Sequence, residues 1–175
     1  MNDSLYRIVS AFTMRTSHFK VTTYLRTWPM NLSVREFMES DREALRDLYV
    51  LAHRQARIGA LPGAIGPADF DRSIEGERVL VAVHAEVPIG FASIWEPDSF
   101  LHNLFVHPRF QGRGVGKALL AGCEKYFSGV PTLKCSKANT GARRFYESQG
   151  WSVRFEAEGP DGTYLLMQRA RANCA

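Results

Sequence analysis

The stretch that most constrains the chain is Phe100 to Gly116, an apolar run, a short polar loop and three glycines, Gly112, Gly114 and Gly116, placed two apart. An apolar-periodic segment, Val115 to Tyr126, follows at once. Small residues between a strand and a helix let loop and first-turn amides face one way. With the positive end of the helix dipole, they form a site suited to phosphate. A simple tight turn explains one glycine, not three behind Gln111.

Two phosphate-loop patterns are excluded by spacing. A nucleotide-triphosphate loop needs four residues between its first glycine and Gly-Lys, then a hydroxyl residue for Mg²⁺. Gly112 lies too close to Gly116-Lys117, and Ala118 stands where the hydroxyl belongs. A dinucleotide loop needs Gly-x-Gly-x-x-Gly and an acidic residue on the next strand. The spacing here is Gly-x-Gly-x-Gly, and Thr132 to Ser136 holds no acid.

Around this stretch the periodicity gives a single α/β domain. Leu32 to Phe37 alternates as a first strand, and Ser40-Asp41-Arg42-Glu43 matches a capping box opening a helix. Leu45, Leu48, Tyr49, Ala52 and Ala56 form its apolar stripe. Gly59 to Gly66 breaks that pattern, and a short helix opens at Pro67 and covers 68–74. Residues 79–83, 89–95 and 100–106 are strands with joints too short for crossover helices, so they form an antiparallel meander. After the glycine loop come a helix, a strand over 132–136, a helix capped by Asn139 or Thr140 and ended at Gly150, and a hairpin over 151–155 and 163–168. The strand–helix–strand order across 100–136 implies one parallel pair in a mixed sheet.

Composition narrows the function. The chain has 175 residues, 45% of them hydrophobic, and a net charge of +4. Four basic residues against Asp3 place +3 of this within residues 1–29. No run of Lys or Arg exceeds two and no basic stripe carries aromatics, so a nucleic-acid partner is not expected. Apolar runs are too short to span a membrane. Cys123, Cys135 and Cys174 lack CxxC spacing, which fits a reduced, cytoplasmic compartment. No His/Cys/Asp/Glu set has metal-ligand spacing, and no metal is expected. Residues 1–29 read as an extension ahead of a domain over 30–171, with a transit peptide the competing reading, and 172–175 as a tail.

Gln111-Gly112-Arg113-Gly114-Val115-Gly116 resembles the Gln/Arg-x-x-Gly-x-Gly/Ala signature of the GNAT superfamily of N-acetyltransferases. Leu104 to Pro108 resembles that family's fourth strand and its exit. Asn139, Ala142, Phe145-Tyr146 and Gly150-Trp151 match a second family pattern, with Trp in place of a final Phe. The resemblance covers about residues 30–170. It implies the GNAT-like fold, with an antiparallel N-terminal meander, a splayed parallel strand pair at the coenzyme site, and transfer of an acetyl group from acetyl-CoA directly to a primary amine.

By the same resemblance, Gln111, Gly112, Arg113, Gly114, Val115, Gly116 and Lys117 hold the pyrophosphate, with a side chain at Gly114 or Gly116 intruding on the phosphates. Leu104, Phe105 and Val106 line the pantetheine arm, with free backbone groups of Phe105 and Val106 as its partners. Asn139 and Ala142 complete that site. Tyr146 is the candidate general acid. His102 is the candidate general base where relatives carry Glu, although strand parity sets it beside Leu104 and Val106 and equally allows a sheet histidine. Phe70, Trp95, Glu96 and Asp98 are candidates for the acceptor side. The acceptor is a small-molecule or peptide amine, and a homodimer is a candidate assembly. A non-catalytic coenzyme A sensor or interaction module on the same scaffold is the alternative.

Overall fold

The computed structural model describes residues 31–56, 65–160 and 162–170. The expectations for 1–29 and 172–175 lie outside the described residues, as does most of the loop expected over 59–66. Among these residues seven strands form one sheet: β1 (Leu32–Glu36), β2 (Arg78–His84), β3 (Val87–Trp95), β4 (Phe100–Val106), β5 (Thr132–Ser136), β6 (Trp151–Gly159) and β7 (Gly162–Arg169). Their order is β1-β2-β3-β4-β5-β7-β6. All neighbours are antiparallel except β4 and β5. Among the described residues four α-helices complete the fold: α1 (Arg42–Ala56), α2 (Pro67–Ser73), α3 (Val115–Cys123) and α4 (Thr140–Ser148).

The continuous apolar run of β2 is explained by burial on both sides. Val79, Val81 and Val83 face one core with Leu45, Leu48 and Tyr49 of α1 and Phe70 of α2. Leu80 and Ala82 face the other, with Val115, Leu119, Leu120 and Cys123 of α3. Two helices thus cover one face of the meander and α3 the other. The helix starts before α1 differently from the sequence reading. A 3₁₀ turn over Glu39–Asp41 leads in, and the buried Asp41 carboxylate, not Glu43, accepts the Met38 amide at 2.8 Å. Arg35 of β1 grips the same carboxylate through two bonds of 2.7 and 2.8 Å. Asp41 wins over Glu43 because it also ties α1 to the sheet.

The junction of β4 and β5 decides what the fold can hold. Their parallel pairing covers only Phe100 with Thr132 and Leu101 with Leu133. Beyond Leu101 the two strands part, while β5 stays paired along its whole length with β7. The result is a wedge in the sheet that opens towards the end of β4, where the glycine loop begins.

Candidate functional site

The loop from His107 to Gly114 is built by local hydrogen bonds. Pro108–Phe110 makes one 3₁₀ turn, and His107 accepts the Arg109 amide on Nδ1 at 3.2 Å. The Gln111 side-chain amide donates to the Val106 carbonyl at 3.0 Å and pins the loop to the strand end. That carbonyl is therefore engaged, and Phe105 is paired with Phe91 in the β3 ladder, which corrects the expectation that both Phe105 and Val106 keep free backbone groups. Gly112 and Gly114 have φ of +70° and +86°, a region that side chains disfavour, and nothing lies within 4 Å of where a Cβ would stand. Among the described residues no amide from 112 to 117 donates to a protein acceptor, as expected for a helix start with no side-chain cap. Gly112 and Gly114 thus face open space, beside amides left without a protein acceptor.

Gly116 serves a different end. A Cβ there would come within 3.1 Å of the Phe145 ring. Its small size lets α3 pack against α4, and the intruded volume is protein, not ligand. Lys117 and Arg113 are exposed, with the Arg113 guanidinium 5.8 Å from the Phe110 ring. Val115 is buried under the helix. Leu104 and Val106 pack on the α3 side, whereas Phe105 points to the other face against Tyr49 and Phe91, at 5.4 and 5.5 Å between centroids.

Across the wedge, Asn139 caps α4 by accepting the Ala142 amide on Oδ1 at 3.0 Å. Asn139 and Ala142 are therefore brought together, as the motif suggests, by a helix cap. One turn on, Tyr146 is half-buried, its ring edge-on to Phe145 and Trp151 at 5.3 and 5.9 Å. Burial pushes its phenol well above the usual range, helped by the nearby Cys135 and Cys123 thiols. The phenol is thus neutral at physiological pH. Its hydroxyl has no hydrogen-bond partner among the described residues, yet it is not one of the fully buried polar atoms. Burial also pushes the Cys123 thiol up to about 12 and raises Cys135, so neither is a ready nucleophile.

His102 departs from the expected side of the sheet. Ser93 pairs with Asn103 and Ile94 with Leu101, so His102 is an extra residue opposite nothing, a β-bulge. The bulge breaks the simple alternation. Asn103 donates to the Ser73 carbonyl at the end of α2 and to Ser93 Oγ, at 3.1 and 2.7 Å. His102 meets Glu77, just after α2, through Nδ1. Both therefore face the α2 side, whereas Leu101 and Leu104 face α3. The parity that sets His102 beside Leu104 and Val106 is corrected by this one inserted residue. Its pKa is raised, first by the hydrogen bond to Glu77, against desolvation and the Lys134 charge.

On the expected acceptor side, Phe70 is wholly buried with its ring edge-on to Phe91 at 5.3 Å, so it belongs to the core and offers no surface to an acceptor. Trp95 is 41% exposed, and the Glu96–Asp98 turn that follows is a single 3₁₀ turn. Glu96 accepts from Arg78 Nε at 2.9 Å. Glu36, Arg42, Glu77, Arg78 and Glu96 line a mixed-charge cleft of ≈ 380 Å³. Sequence reasoning missed Glu77 altogether. No motif or period marks a lone acid in a turn, and only the bulge in β4 brings a partner to it.

This architecture is similar to many solved acetyltransferases. One is a GCN5-related N-acetyltransferase from Rhodopseudomonas palustris (22% identity, 82% of this chain and 99% of that one, TM-score 0.68). Another is NAA60 of Arabidopsis thaliana in complex with acetyl-CoA (20% identity, 78% and 97%, TM-score 0.60). A third is the ribosomal-protein-S18-alanine N-acetyltransferase of Escherichia coli (18% identity, 82% and 99%, TM-score 0.59). At these identities the likeness establishes the fold. No curated protein matches the chain in sequence. A family model for acetyltransferases of the GNAT family matches residues 33–151, the span that holds the meander, the glycine loop, the wedge and α4. The chain belongs to the GNAT acetyltransferase family.

Proposed function

We propose that this protein is an acetyl-CoA-dependent N-acetyltransferase that acts on a primary amine. The observation that carries the reading is the wedge between β4 and β5, with unpartnered loop amides at its wide end and the Tyr146 hydroxyl free at its α4 side. The amides of 112–117 and the N-terminus of α3 suit the pyrophosphate of acetyl-CoA, with Arg113 and Lys117 near enough to add charge. The edge of β4 left without a β5 partner beyond Leu101, where the backbone groups of Leu104 and Val106 turn away from β3, suits the pantetheine arm. Asn139 keeps its cap role and stands at the same side of the wedge.

Acetyl transfer needs an amine without its extra proton and a proton for the departing thiolate. His102 Nε2 takes the amine proton, directly or through water. The amine nitrogen then bonds to the thioester carbonyl carbon as the C–S bond breaks. Tyr146 gives its proton to the sulfur and takes back the second proton of the bonded nitrogen, so a neutral amide and the coenzyme A thiol leave, and His102 returns its proton to solvent. A phenol raised by burial is a weak acid towards a thiolate of pKa about 8–9, so donation belongs to the moment of C–S cleavage. The similarity to enzymes named for protein and ribosomal-protein acceptors supports an amine of a peptide or small molecule without choosing between them. The exposed Trp95 and the Glu96 edge of the mixed-charge cleft support an acceptor approach from the α2 side.

The test has two steps. Acetyl-CoA at a hundred times its Kd should stabilise the fold by about 2.7 kcal/mol in a thermal shift experiment. Release of coenzyme A across a panel of small amines and peptide N-termini then identifies the acceptor. Tyr146→Phe should lower kcat by about 100-fold or more with acetyl-CoA affinity retained. An unchanged kcat removes Tyr146 from the chemistry. Stabilisation without turnover on any amine turns the reading to a coenzyme A-binding module.

A further inference from the structure

Glu77 has no part in the roles above, yet its surroundings are unusual for a residue in a turn. Its side chain is only 4% exposed. Oε1 accepts from His102 Nδ1, while Oε2 is buried with no partner at all. A buried carboxylate held by one contact is costly unless a counter-charge stands against it. Arg78, the next residue, is committed to Glu96 and Glu36. His102 is the one side chain among the described residues that bonds to this carboxylate. The bulge at His102 breaks the alternation that would put it on one face with Leu104 and Val106, so that His102 and Asn103 both lie on the α2 side.

We propose that Glu77 is a positioning residue for acetyl transfer: it holds His102 by Nδ1 as a carboxylate–imidazole pair and so presents Nε2 as the proton acceptor. This rests on the reading of His102 as the base. With Nδ1–H donated to Glu77, the ring is held in the tautomer whose lone pair is on Nε2. When Nε2 takes a proton from the acceptor ammonium, the amine keeps the electron pair of the broken N–H bond. The imidazolium that forms lies against the Glu77 charge, so the buried carboxylate gains its counter-ion as the proton arrives. The other charge that acts on the ring is Lys134 of β5, which opposes protonation. Phe100 stacks edge-on at 5.3 Å and adds no charge.

The sign of the pH effect follows from the pair. A raised His102 pKa keeps the ring protonated to higher pH, so its base form, and kcat/KM with it, rises only as pH passes that pKa. Removing the carboxylate moves this rise to lower pH and leaves a weaker base.

The experiment follows the His102 ring by NMR titration in the full chain, its signals identified by their loss in His102→Gln, beside kinetics of Glu77→Gln. In the native protein the midpoint lies above the ordinary 6.5, and the neutral ring carries its proton on Nδ1. In Glu77→Gln the midpoint falls. A native midpoint at or below 6.5, or one that Glu77→Gln leaves in place, overturns the pair without any assay of transfer. In kinetics, the acid limb of kcat/KM moves to lower pH in Glu77→Gln and the plateau falls about tenfold, with KM for acetyl-CoA unchanged. An unchanged profile overturns the positioning role. If the pair is seen by NMR but His102→Gln leaves kcat/KM intact, the base assignment itself has failed. Should Glu77→Gln not fold, the native midpoint and tautomer decide alone.

Discussion

Three glycines in one motif have two different environments. Gly112 and Gly114 need positive φ and face open space, while Gly116 needs only the absence of a Cβ beside Phe145. Alanine should therefore act differently at each. Gly116→Ala forces a ring or a helix to shift, at about 1–3 kcal/mol of stability, and that loss is eased by Phe145→Leu in the same chain. Gly114→Ala costs about 1 kcal/mol through its backbone and keeps that cost with Phe145→Leu present. Denaturant midpoints of the two singles and two doubles measure the difference. Equal coupling of both glycines to Phe145 removes the packing account of Gly116.

At the scale of elements, the start of α1 is joined to the sheet by one carboxylate. Asp41 accepts two bonds from Arg35 and one from the Met38 amide, and these hold its pKa below the ordinary 3.8, the Arg35 bond first. A group depressed in the folded state contributes its stability above the unfolded pKa and loses it as pH falls through the folded one. The contribution of Asp41 is thus complete above about pH 4 and fades below it. Asp41→Asn keeps the size but loses the charge. Its urea midpoint should drop against the native protein at about pH 6, and the gap should close as pH falls towards about 2. A gap that stays constant with pH assigns the loss to packing. The same element shows how a local motif can mislead. Ser40 and Glu43 have the spacing of a capping box, but Asp41 takes the Met38 amide because Arg35 of β1 holds its carboxylate in place.

For the whole molecule, the wedge is the feature on which function depends. β4 is paired to β3 along its length, yet it leaves β5 after Leu101. Amides of Leu104, Val106 and the glycine loop, which face away from β3 or lack an acceptor, should therefore gain protection from hydrogen exchange when acetyl-CoA binds. Amides in the centre of β2, already paired on both sides, should change little. Equal change across the sheet, or none at 112–117, contradicts binding in the wedge. Among the described residues no helix is long and apolar enough to cross a membrane.

Much of this was legible in the chain. The meander follows from joints too short for a crossover, the strand over 132–136 from its apolar alternation, and the Asn139 cap from the residue and the helix it opens. The glycine loop is local as well, since its chemistry lies in backbone conformations that a few adjacent residues set. What the chain alone did not decide depends on residues far apart in sequence. Phe70 reads as an accessible aromatic until Phe91 and Tyr49 close over it. Gly116 reads as phosphate-facing until α4 brings Phe145 against it. His102 shows the difference most sharply. Parity along a strand is a local rule, but a bulge is set by the partner strand, and the inserted residue separates His102 from the face of Leu104 and Val106 and leaves it against a buried carboxylate 25 positions earlier. The sequence determined the strands, the loop and the family they belong to. Only the tertiary structure decided which faces those side chains meet, because pairing register and helix packing are settled between elements and not within them.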